Sequence, residues 1–134
     1  MTRSSRTPRP LTIGDETFLW TVRHEHTVPE PAGGYEDCRE VLTIRRPNAL
    51  GCLRITFTRG PGHLVPDTHA PAGAVGMPDG SWLDLHDPGT VRDLLEEARH
   101  RGLGADGAAA EEADGWVLFG PVAARRGAVT EQGR

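Results

Sequence analysis

The chain has 134 residues, enough for one domain with a modest core, and its formal net charge is −4. That charge repels a polyanion at long range and disfavours general nucleic-acid binding, while two cysteines are too few for a disulfide scaffold. No apolar run approaches the roughly 18 residues of a membrane span, so the expected setting is the cytoplasm, with no membrane partner.

All 15 basic residues are arginine, and Asn and Gln occur once each, as Asn48 and Gln132. A GC-rich bacterial genome imposes such a bias. Residues 1–10 carry Arg3, Arg6 and Arg9 with almost nothing apolar to bury, and are expected to form a disordered basic tail. A single domain is expected over residues 11–119, followed by a second disordered tail over 120–134.

Within the domain, Leu11 to Ile13 reads as a short strand and Gly14-Asp15 as a tight turn. Thr17 to His26 is a long strand in which Phe18, Trp20 and Val22 alternate with Leu19, Thr21 and Arg23. Val28 to Gly34 contains Pro29 and Pro31 and is expected to connect a hairpin. Cys38 to Arg46 forms a third strand with Leu42 and Ile44 inward. Cys52 to Arg59 forms a fourth, with Leu53, Ile55 and Phe57 inward. These strands agree on one apolar and one polar face, the pattern of an antiparallel meander solvated on one side.

Nine of the 21 residues from Gly60 to Gly80 are Gly or Pro, which marks a long irregular loop. Its end, Ala74 to Met77, can pair with Ser81 to His86 through the Asp79-Gly80 turn. A helix follows over about 88–101: Asp87 caps it, Pro88 takes the first position, and Gly102 ends it. Val91, Leu94, Leu95 and Ala98 fall at i, i+3, i+4 and i+7, a single stripe that needs a sheet to bury it. Leu103 to Gly115 reads as a polar, Ala-rich linker, and Gly115 to Phe119 as a last strand. The expected fold is α+β: an antiparallel meander sheet of five to seven strands with one helix packed on its apolar face.

Three places could carry chemistry. The outer sheet face interleaves Arg23, Arg39, Arg45 and Arg54 with Thr43 and Thr56, donors suited to carboxylates or phosphates. It lacks the aromatics that single-strand readers stack on, so a protein partner is favoured over nucleic acid or another anion. On the inner face, a hairpin centred near residue 32 puts His24 opposite Glu40 and His26 opposite Cys38. That set has the donors for zinc, the one cofactor considered, and a metal-dependent hydrolase is the alternative function. Cys38 with a histidine base lacks any thiol-enzyme signature around it. The third place is the loop, where His63, Asp67 and His69, with Asp84 and His86 beyond it, fit no spacing with a known mechanism.

The sequence supports a small non-enzymatic interaction module of accessory, regulatory or immunity type. It would bind another protein through the Arg/Thr face or the 60–80 loop. A homodimer through an edge strand is compatible with this reading.

Overall fold

The computed structural model describes residues 7–27, 36–65, 73–105 and 107–132. The fold is α+β. Strands β1 (Arg9–Ile13), β2 (Glu16–Thr27), β3 (Glu36–Arg45) and β4 (Cys52–Thr58) pair antiparallel in chain order. Strands β5 (Ala74–Gly76) and β6 (Trp82–Asp84) form a separate antiparallel ribbon, as the Asp79-Gly80 turn predicts. Helix α1 spans Pro88–His100. The chain then returns as β7 (Ala110–Asp114), which pairs parallel to β4, and ends in α2 (Gly115–Gln132).

Several expectations are corrected here. The sheet is not a pure meander, because β7 adds a parallel fifth strand beside β4. The described residues form two helices rather than one: the expected strand Gly115 to Phe119 is the start of α2, and residues 120–132 of the expected tail continue it. At the other end, Arg9 and Pro10 belong to β1 rather than to a tail. The expected hairpin connection over 28–34 lies outside the described residues.

The alternation in β2, β3 and β4 does what the sequence implies. Phe18, Trp20, Val22, Leu42, Ile44, Leu53, Ile55 and Phe57 form one buried face. Val91, Leu94, Leu95 and Ala98 of α1 and Leu118, Phe119 and Val122 of α2 join the same core. Asp87 caps α1 by accepting from Gly89 N at 3.1 Å, and Gly102, at φ +86°, takes the left-handed position after it. Arg126 of α2 donates to Asp87 at 2.6 Å and to Asp93 at 3.0 Å, fastening the second helix to the first.

Glu16 ties α1 to the sheet. Its carboxylate accepts two hydrogen bonds from Arg99 of α1, both at 3.0 Å, and one from Arg46 at 2.6 Å. Both guanidiniums also lie over the Phe18 ring. The bonds from Arg99 and then Arg46 lower its pKa from 4.5 to about 2. A depressed carboxyl stabilises the fold above its unfolded value, and that stabilisation fades as pH falls through the folded value. The melting temperature should therefore decline between about pH 4.5 and 2. Glu16→Gln should melt lower at neutral pH and show a shallower decline over that window; equal slopes in calorimetric scans would refute this role.

Gly51 permits β7 to approach β4. A Cβ there would lie under 3.0 Å from backbone atoms of Gly107 and Ala109, which cannot swing aside as a side chain can. Gly51→Ala should cost roughly 1–3 kcal/mol in urea unfolding by forcing that segment outward. A variant as stable as the native chain would show that the segment yields freely.

Candidate functional site

The outer face of the sheet is more cationic than the protein as a whole. Arg23, Arg39, Arg45 and Arg54 project from β2, β3 and β4, opposite in phase to the core residues. Val41, between Arg23 and Thr56 in register, is only 2% exposed even on this face. The acidic counterweight is small: Glu25 accepts from Arg23 at 3.0 Å and from Arg39 at 3.1 Å, and Glu112 of β7 pairs with Arg54 at 3.2 Å. Among the described residues, Arg45 and Arg59 have no carboxylate within ion-pair distance.

At the β4–β7 end this face deepens into an open groove of about 630 Å³. It gathers Arg39, Arg54 and Thr56 from the sequence-derived set and adds Arg59 and Thr58. Arg23, Thr43 and Arg45 share the face but do not line the groove.

One wall carries two rings, Trp116 and His63, which corrects the expectation that this face lacks aromatics. Trp116, in the first turn of α2, stacks on His63 with centroids 4.3 Å apart and planes 9° from parallel. The Trp116 indole donates to the Thr58 carbonyl at 2.8 Å, and its ring meets the edge of Phe57 at 5.2 Å. Asp114 caps α2 by accepting from Trp116 N at 3.0 Å, holding the indole at the groove. The signal was present: Gly115, Leu118, Phe119 and Val122 stand at i, i+3, i+4 and i+7 after an Asp. Pro121 and the glycines beside it obscure that spacing. Pro121 lies on the exposed side, where water can satisfy the carbonyl its missing N–H leaves free.

The inner-face cluster forms in part. His24 pairs with Glu40 in register, and His24 Nδ1 lies 2.5 Å from Glu40 Oε2. Glu40 is fully buried, and Oε1 accepts from Gly73 N at 3.2 Å. Burial raises its pKa above the ordinary carboxylate value, against the opposing bonds from His24 and Gly73. The expected pairing of His26 with Cys38 is not observed. The register shifts between Glu25 and Thr27, which pair with Arg39 and Glu36, so β3 carries one extra residue there and two positions, 37 and 38, oppose residue 26. The side chain of His26 lies outside the described residues. Among those described, no three His, Cys, Asp or Glu residues converge as a metal-binding group. Cys38 is buried and Cys52 half-buried on opposite faces, both as free thiols.

The loop candidates separate. His63 joins the groove wall, whereas the His86 ring packs where a Cβ on Gly73 would sit. Asp84 accepts from His86 N at 2.9 Å, and Asp67 and His69 lie outside the described residues. No described helix is long and apolar enough to cross a membrane.

Comparison with protein-family models, with curated proteins and with solved structures finds no match.

Proposed function

We propose that the chain is a small non-enzymatic interaction module that binds another protein through its outer sheet face, with the β4–β7 groove at the centre of contact. The observation that carries this reading is the convergence of Arg39, Arg54 and Arg59 with the Trp116–His63 stack in one open groove. Arginine and tryptophan are the residue types that most often dominate binding energy at protein interfaces. A guanidinium can grip a partner carboxylate through two parallel bonds, and the rings supply rigid apolar area at low entropic cost.

Zinc chemistry at His24, His26, Cys38 and Glu40 is the weaker reading, because His24 and Glu40 already occupy one another.

Arg39→Glu combined with Arg54→Glu tests the proposal. Both ion pairs are partly exposed, but the substitutions set new carboxylates against Glu25 and Glu112 in register, so the melt should fall by several degrees while the variant still folds at the assay temperature. Capture of a co-purifying protein partner should be abolished. Undiminished capture by a folded double variant would remove the outer face as the binding surface.

A further inference from the structure

We infer that the groove selects its occupant by the order of charges across it: an extended segment of a partner protein that lays carboxylates on the β3–β4 side and a basic side chain on the β7 side. This rests on the outer-face reading above and adds the chemistry of the partner.

The strand order β3-β4-β7 creates two walls of opposite sign. Arg39, Arg54 and Arg59 supply the cationic wall, while Glu112 and Asp114 line the groove from β7. The Arg54–Glu112 pair does not close the groove, since the Glu112 side chain remains 64% exposed and reachable by a second cation. Asp114 commits Oδ1 to the α2 cap, and the residue stays exposed. A polyanion would satisfy the arginines but press like charge onto Glu112 and Asp114, a penalty that interfaces use to reject wrong partners. An extended peptide has no such conflict. Its successive side chains project to opposite sides, so alternating acidic and basic residues present one sign to each wall.

The test follows the amide signal of Arg59 and the indole N–H of Trp116 by NMR at low salt, using the full chain. The probes are a synthetic peptide of alternating Glu and Lys, an all-Glu peptide of equal length, and single-stranded oligothymidylate. The alternating peptide should bind roughly tenfold more tightly than either polyanion. The decisive variant is Arg54→Glu with Glu112→Arg. These positions are direct cross-strand neighbours, so the exchange keeps their ion pair and the net charge of −4 while giving each wall both signs. With an unchanged melt, the exchange should erase the tenfold preference. A preference that survives it, tighter binding of either polyanion, or no response to any probe overturns the charge-order inference. The outer-face reading itself fails on a different result, continued partner capture by Arg39→Glu/Arg54→Glu.

Discussion

Phe57→Ala is expected to lower the unfolding free energy by about 3–5 kcal/mol, a large share of the roughly 5–15 kcal/mol that holds a domain of this size together. The ring is fully buried and three structural features converge on it. It faces Glu40 across the β3–β4 ladder, meets Trp116 edge-on, and occupies the space where a Cβ on Gly115 would come within 2.6 Å. Removing it leaves a cavity between sheet and α2 and takes away the surface that orients the indole. Urea unfolding should show the loss in stability, and the Trp116 indole resonance should shift in the folded fraction. Gly115→Ala alone should also destabilise, because its methyl group meets the ring. In the double variant that methyl has room, so the combined cost should fall short of the sum of the singles. Strict additivity would mean that Phe57 and Gly115 are not in contact.

Glu40→Ala should cost roughly 3 kcal/mol, since it strips His24 and the Gly73 amide of a buried acceptor at once. Gly73 immediately precedes β5, and its carbonyl accepts from Leu85 N at 2.7 Å, so the loss should loosen the β5–β6 ribbon first. Hydrogen exchange at Leu85 would report it. Glu40→Gln separates charge from shape. Burial raises the Glu40 pKa, so its contribution is fully present below the ordinary value near 4.5 and is lost as pH rises through the folded value. Native stability measured relative to the Gln variant should therefore fall with rising pH from that point. A difference that grows with pH would instead show that the ionised carboxylate is the favoured buried form.

The sheet and the first helix were legible because each buries one face and their residues repeat at the matching period. Trp20 opposite Ile44, Val22 opposite Leu42 and His24 opposite Glu40 follow from the apolar pairing alone, since a slip of one residue would turn every core side chain to solvent. Among the described residues the register departs from the expected one between Glu25 and Thr27, where an extra residue on β3 sets Asp37 and Cys38 against His26 alone. In the groove, Arg39, Arg54 and Thr56 could be read from their phase on β3 and β4. Arg59 ends the expected fourth strand in the inward phase and reaches the groove because β4 stops at Thr58, while His63 and Trp116 are brought there by a loop and a helix that do not share the strand period.

Alternation, turn chemistry and caps act over a few neighbouring residues and are enough for β1 to β4, the β5–β6 ribbon and α1. Strand β7 and the placement of α2 depend instead on contacts made once the chain has folded back on β4. Ala110 to Asp114 has poor intrinsic preference for a strand, and it becomes one because Gly51 lets it approach, Arg54 faces Glu112, and Ala113 is buried at the sheet. The apolar stripe of α2 then finds the core that β4 has already exposed. Those contacts join residues more than fifty positions apart, where short-range periodicity carries no information.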